Sequence, residues 1–303
     1  MKLDFQFISN SRLGVGLTLW VGRTMPLALS YRIANFGANL IARRDNSITR
    51  AIRLNQWVVR GKRSSPEELD QALREVLCHA GRCFADFYHN MSNSEGLKAL
   101  VPLSPMVEKL IQRSQAGAQG AFLVAPHLSA FDIALLGLAH HGLRGNVMSY
   151  GNPPGGYQIQ NKIRASTGMK ITPARGEETH REFVEWMRSG GMAITAIDRP
   201  IRSKAHTLTF FGHPSPLPAG HIRMALEADV PVIVSAAQMS PEGKYNVLLS
   251  DPIPMEHHPV METAIQRNAE AVLAVIEGFI RQAPGQWMMY YPVWPDMTMD
   301  DRL

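Results

Sequence analysis

From residue 121 onward, short unbroken apolar runs alternate with stretches of helical spacing, and this alternation constrains the fold more than any other feature. Ala121-Phe122-Leu123-Val124-Ala125 has no polar face, the pattern of a strand covered on both sides. A Pro-His loop follows, then Phe131–Leu138 with the spacing of a helix. Asn146–Tyr150, Met169–Thr172, Met192–Ile197, Thr207–Phe211, Pro231–Ala237 and Tyr245–Leu249 read as further strands. Ile159–Thr167, Glu177–Arg188, His221–Ala228 and Thr263–Arg281 read as helices between them. Such alternation predicts an α/β sheet with helices on both faces.

The N-terminal third has a different texture. Ser64-Ser65-Pro66-Glu67-Glu68 is a helix start: a Ser cap, Pro at the first helical position and acids in the first turn. Leu69, Leu73, Val76, Leu77 and Ala80 follow at spacings of three and four, and Phe84, Phe87 and Tyr88 extend that face. Val107–Arg113 reads as a further helix closed by a turn at Ala116-Gly117. Residues 1–115 are therefore expected to be helical and residues 116–303 to form the α/β core, joined as one structural unit. With 45% apolar residues in 303, the chain has enough material for such a core.

Charge divides along the same line. Residues 1–63 carry eleven Lys and Arg against two Asp, a net of +9, and the remaining 240 carry twenty against 24, a net of −4. The basic residues alternate with Leu, Ile, Val and Trp rather than with polar residues, which favours an anionic lipid surface over nucleic acid. The apolar stretch Leu13–Gly22 ends at Arg23, and Pro26 interrupts the next. A spanning helix needs roughly 20 apolar residues, so this segment is expected to lie in the membrane interface. Cys78 and Cys83 match neither a disulfide framework nor a zinc site, and both are expected to pack in a helix in a reducing compartment.

The candidate chemistry is Pro126-His127-Leu128-Ser129-Ala130-Phe131-Asp132, a His followed five positions on by an acid. Chance alone gives about one such pair in this composition, and the chain has three: His127/Asp132, His180/Glu185 and His257/Glu262. Only the first sits between an apolar strand and a helix. On a continuous helix, residues five apart diverge by roughly 140°. The spacing therefore works only with His127 on the loop and Asp132 inside the helix, with Ser129 as a candidate cap. In that arrangement His127 would take a proton from an attacking hydroxyl while Asp132 held the ring. There is no G-x-S-x-G elbow, Walker loop or dinucleotide fingerprint. No His, Cys and acid cluster has metal-ligand spacing, so neither a metal nor a cofactor is expected.

Several further segments occur in a recognisable order: Arg53-Leu54-Asn55-Gln56, then the His127–Asp132 block, then Asn161-Lys162-Ile163-Arg164. After these come Ile171–Gly176 with Arg175, Gly190–Pro200 with Asp198 and Arg199, Phe211–Val234 and Pro284–Pro295. In this order and spacing the chain resembles the lipid A biosynthesis lauroyl/myristoyl acyltransferase family, together with its relatives that acylate phosphatidylinositol mannosides. These belong to the wider glycerolipid (lysophospholipid) acyltransferase superfamily. The resemblance implies a glycerolipid-acyltransferase-like αβα sandwich with a helical, membrane-associating N-terminal segment, and a His–acid pair at the mouth of an acyl channel. His127 would be the base and Asp132 its partner. Asp198 would organise Arg164 or the acceptor headgroup. Arg164, Arg175 and Arg199 would bind phosphate or sugar-phosphate, and Ser129 would contact substrate from within the block.

The implied reaction moves a fatty acyl chain from acyl carrier protein or coenzyme A to a hydroxyl of a glycolipid or lipid A-like acceptor. No covalent enzyme intermediate is involved, and the site faces the cytoplasmic side of the cell membrane. The block reads His-x-Ser-x-x-Asp, closer to glycerophospholipid acyltransferases than the Gly-Asn-Trp-Glu of the lipid A branch. A lysophosphatidate-type phospholipid acyltransferase and an inactive lipid-binding protein on the same fold are the alternatives.

Overall fold

A computed structural model describes residues 22, 24–201 and 207–299. The expected interfacial helix at Leu13–Gly22 lies almost wholly outside the described residues. Five helices open the described chain: α1 (Leu27–Ala42), α2 (Ser47–Val59), α3 (Pro66–Asn90), α4 (Ser94–Leu100) and α5 (Pro105–Ala116). Ser65 caps α3 by accepting from the Glu68 N–H, and the Glu68 carboxylate accepts the Ser65 N–H in return. This reciprocal cap satisfies two donors that a helix start leaves without intrahelical partners. Helix α5 stops at Gly117, whose φ of 61° lies in the left-handed region that glycine enters without steric cost.

The sheet is built from β1 (Ala121–Ala125), β2 (Asn146–Ser149), β3 (Lys170–Pro173), β4 (Met192–Ala196), β7 (Val232–Met239) and β8 (Tyr245–Leu249), in the order β3-β2-β4-β1-β7-β8. All neighbours are parallel except the final β7–β8 pair. Helices α6 (Phe131–His140), α7 (Gly155–Ser166), α8 (Glu177–Arg188), α9 (Gly220–Ala228) and α10 (Met261–Gln282) connect or cover the strands. Along β1 the side chains split by parity. Phe122 and Val124 join the core with Phe183, Ile222 and Leu273 from α8, α9 and α10. Ala121 and Leu123 join the opposite core with Leu97, Leu110 and Ile133 from α4, α5 and α6. Each face of the sheet is thus covered by helices, and each fully buried Leu, Ile or Phe contributes about 1.5–3 kcal/mol.

The smaller hairpin β5 (Leu208–Phe210) and β6 (His213–Ser215) was expected only in its first strand. Its two-residue turn is Phe211-Gly212, with φ of 50° and 73°. This is the positive-φ turn that matches strand twist. Pro214 is tolerated because β6 has a single ladder partner.

The N-terminal helices are tied into the sheet layer by hydrogen bonds. Asn55 and Gln56 on α2 are both buried. The Asn55 amide donates to the carbonyls of Met289 and Tyr291, and its oxygen accepts from the Val293 N–H. Gln56 donates to the Pro284 carbonyl. The segment after α10 is therefore gripped by α2, and two of the stretches that carry the resemblance meet here. Cys78 and Cys83 are free and lie on α3, as expected.

Candidate active site

Strands β1 and β4 run parallel with Ala125 opposite Ala196. Two residues further along each chain stand His127 and Asp198, so the register itself brings them together. The His127 Nδ1–H donates to Asp198 Oδ1 over 2.6 Å, and the His127 backbone N–H donates to Oδ2 over 2.8 Å. Trp287 donates its indole N–H to the same Oδ2 over 2.7 Å. Asp198 is completely buried, and the His127 side chain is 24% exposed. A buried carboxylate held by three N–H groups keeps a fixed orientation, and it leaves Nε2 as the basic nitrogen of the His127 ring. Burial opposes the imidazolium, but the Asp198 charge and hydrogen bond, with a smaller contribution from Asp132, outweigh it, and the His127 pKa is raised above its ordinary value. The nearby Arg199 charge pulls the other way.

The expected partnership of His127 with Asp132 is corrected by this arrangement. Asp132 does lie in the first turn of α6. Its Oδ1 accepts from Arg164 Nη2 over 2.6 Å and from Arg164 Nε over 3.0 Å. Arg164 brings a permanent positive charge and two donors of a planar fork to this carboxylate, where a neutral imidazole would bring one uncharged donor. Arg164 is itself buried and gives its Nη1 to Asn161 Oδ1. Its donors are thus engaged internally rather than offered to a phosphate. Asp198, expected to organise Arg164 or a headgroup, instead holds His127.

Ser129 is also corrected. It is fully buried, so it presents no surface to a substrate. The cap position of α6 belongs to Ala130, which makes no side-chain hydrogen bond. Ser129 has a φ of 49°, unfavourable for a residue with a Cβ by about 1–2 kcal/mol. Its N–H donates to the Gln286 carbonyl, and its hydroxyl lies 2.9 Å from His79 Nε2. Burial, with the nearby Arg82 charge, pushes the His79 pKa down to about 4, so this ring is neutral near pH 7. Cys83 lies beside them, and burial pushes its thiol up to about 12, which makes it a packing group rather than a nucleophile.

Arg175 follows β3 and is exposed, with its N–H capped by the Thr179 hydroxyl. Arg199 is half-buried, and its guanidinium lies over the rings of Tyr291 and Tyr150. His127, Asp198, Arg199, Tyr150 and Arg175 all follow the carboxyl ends of parallel strands, the edge at which open α/β sheets place their ligands.

Sequence reasoning did not place Trp287 on Asp198 or His79 beside Ser129. Trp287 sits in Pro284–Pro295, where its apolar neighbours signal core packing. The Met288 N–H donates to the His127 carbonyl, and Leu128 and Trp287 form a β-bridge. The C-terminal segment thus splints the His127 loop. Among the described residues, no group of His, Cys, Asp and Glu is arranged to hold a metal ion.

Residues 9–295 match the family described as "Bacterial lipid A biosynthesis acyltransferase". Two curated relatives, each called "Phosphatidylinositol mannoside acyltransferase", come from Mycobacterium tuberculosis strains CDC 1551 / Oshkosh and ATCC 25618 / H37Rv. Each is 23% identical over 185 residues, which cover 59% of this chain and 56% of the relative, so the match spans little more than half the length of either protein. With its whole described sheet and both flanking layers inside the matched region, the chain belongs to the bacterial lipid A biosynthesis acyltransferase family.

Proposed function

We propose that the protein transfers a fatty acyl group from an acyl thioester, on acyl carrier protein or coenzyme A, to a hydroxyl of a glycolipid. The observation that carries this reading is the pairing of partly exposed His127 with buried Asp198 at the carboxyl edge of β1 and β4 in a member of this family. His127 Nε2 takes the proton of the acceptor hydroxyl as its oxygen attacks the thioester carbonyl. Asp198 holds the tautomer and stabilises the imidazolium that forms. The tetrahedral intermediate then collapses, the C–S bond breaks, and the imidazolium returns its proton to the leaving thiolate. The first turn of α6, whose cap makes no side-chain hydrogen bond, supplies backbone N–H groups and dipole for the oxyanion.

The test is thiol release from long-chain acyl thioesters with extracted membrane lipids as acceptors, by wild type and by His127→Ala. Lipid-dependent release that falls about 10²–10⁴-fold in the variant supports the reading. Undiminished release by folded His127→Ala sinks the mechanism. Preference for lysophosphatidate points to the glycerophospholipid alternative, and no release with either carrier points to a lipid-binding protein.

The same reading places the protein at a membrane surface. Helix α1 buries Ala38 and Ala42 against the N-terminal helices, while Leu29, Ile33, Phe36 and Leu40 form an exposed stripe at spacings of four, three and four. Phe36 is 74% exposed. Arg32, Arg43 and Arg44 flank the stripe and are exposed as well. An apolar stripe with a basic border suits the face of an anionic bilayer. No helix among the described residues is long and apolar enough to cross a membrane. Phe36→Asp should reduce cosedimentation with phosphatidylglycerol-containing vesicles about tenfold, since it removes one apolar anchor and adds a repelled charge. Binding equal to wild type would remove α1 from the membrane-contact surface.

A further inference from the structure

Next to the His127–Asp198 pair lies a row of tyrosine rings and two arginines. The Arg199 guanidinium sits 4.0 Å from the centre of the Tyr291 ring and 5.4 Å from that of Tyr150. Tyr150 meets Tyr157 edge-on at 5.1 Å, and Tyr157 packs against Arg164 at 5.0 Å. The two arginines in this row are in opposite states. Arg164 is buried and neutralised by Asp132. Arg199 is half-buried and, among the described residues, pairs with no carboxylate.

A guanidinium stacked on two aromatic rings keeps its charge, because the ring faces supply only partial compensation. Packing against these rings also limits its motion, so less freedom is lost when an oxyanion binds through two N–H groups. Tyr150 is 44% exposed, which leaves ring surface open beside that charge. An exposed aromatic ring accepts the C–H face of a sugar, where apolar area and the ring quadrupole act together. A half-buried cation without a counter-ion among the described residues, next to an open tyrosine ring, suits a hydroxylated ring bearing an anionic group.

We propose that Tyr150, Arg199 and Tyr291 form the acceptor-headgroup subsite, with a phosphate on Arg199 and the sugar ring it belongs to against Tyr150. The proposal rests on the acyltransferase reading for its purpose but not for its test. Arg199 follows Asp198 directly in the chain and its charge is felt at His127, so a headgroup held there would bring its hydroxyls to the base. Arg164 plays no part in binding the anion. Its role is to fix Tyr157 and the edge on which Tyr150 rests.

The experiment is calorimetric titration of the full-length protein with a hexose 1-phosphate, the parent hexose and inorganic phosphate, for wild type and for Tyr150→Ala, Tyr150→Phe and Arg199→Lys. The hexose phosphate should bind wild type about tenfold more tightly than either part alone. Tyr150→Ala should lose about tenfold in affinity, while Tyr150→Phe, which keeps the ring, should stay within about twofold. Arg199→Lys should also weaken binding about tenfold, because an ammonium neither stacks as a plane nor offers a two-pronged edge. Three outcomes overturn the subsite: no saturable binding of the hexose phosphate, equal affinity for inorganic phosphate, or wild-type affinity in both Tyr150→Ala and Arg199→Lys. Because the readout is binding, a chain that fails to turn over thioesters can still support the subsite. A chain that transfers acyl groups can equally lose it.

Discussion

Two carboxylates flank the His127 loop, and their surroundings differ in kind. Asp198 is fully buried and meets three N–H donors, two from His127 and one from Trp287. Asp132 is 23% exposed and meets a buried guanidinium. The difference lies in what each charge is used for. A cation beside Asp132 absorbs most of its field, so only a residue of it reaches His127. Neutral donors around Asp198 fix its position without cancelling its charge, so its pull on the imidazolium is strong enough to overcome the burial of the ring. Five-residue spacing places an acid near the histidine. The neighbours of each acid decide which one acts on it.

The largest test of this contrast is Asp198→Asn. The amide keeps the shape but presents a donor where Nδ1 needs an acceptor, so kcat/KM should fall about 10³–10⁴-fold. The pH profile should move with it. In the wild type the raised pKa means that His127 becomes a free base only above its ordinary titration range, so activity rises with pH through a midpoint above 6.5. Removing Asp198 takes away both of the leading upward influences and leaves burial and Arg199 pulling down, so the residual activity should titrate at lower pH. Rates of thioester turnover across pH 5–9, on a bracket of about two units to either side of neutral, measure both effects. A wild-type rate and midpoint in Asp198→Asn would reverse the contrast.

What the sequence made legible follows the range of the interactions. The cap at Ser65, the strand Ala121–Ala125 and the turn at Ala116-Gly117 depend on residues within a few positions, and they stand where expected. The partnership of His127 with Asp198 spans 71 positions and depends on β4 lying next to β1 in a given register. Strand order in a parallel sheet leaves no local trace, so the nearer acid was the reasonable expectation. Trp287 packs in the core as its apolar neighbours suggest, and only the direction of its N–H, toward Asp198, leaves no trace in the sequence. Ser129 looked like a cap because of its residue type, but its positive φ turns the hydroxyl toward His79 on a helix some fifty positions earlier.

The second test addresses the other carboxylate. Asp132→Asn keeps a hydrogen-bond acceptor for Arg164 but leaves the buried guanidinium without a counter-charge. Losing one partner of a buried ion pair costs about 3–5 kcal/mol, and partial exposure of Asp132 puts the expected loss near the lower end, about 3 kcal/mol. Urea denaturation measures this. Activity in the folded fraction should fall only about tenfold, because the Asp198 grip on His127 survives. A thousandfold loss in folded Asp132→Asn would make it a direct partner of the reaction and would break the division of labour between the two acids.

The smallest effect is expected at Trp287→Phe, and it is the most informative about how Asp198 is held. The substitution keeps an aromatic ring in a fully buried position and deletes one of three donors to the carboxylate. An unmet charge-assisted hydrogen bond there is worth about 1.5–3 kcal/mol. With one lone pair of Asp198 left bare, the carboxylate becomes a stronger acceptor for His127. The pH midpoint of turnover should therefore move upward, the opposite direction to Asp198→Asn, while the maximal rate at high pH drops by about tenfold or less through looser positioning. Opposed shifts from two substitutions on one hydrogen-bond chain have no explanation in general destabilisation, which would lower activity without moving the midpoint. An unmoved midpoint in Trp287→Phe would mean that Trp287 acts only as packing, and that His127 and Asp198 form a pair rather than the first two members of a three-residue chain.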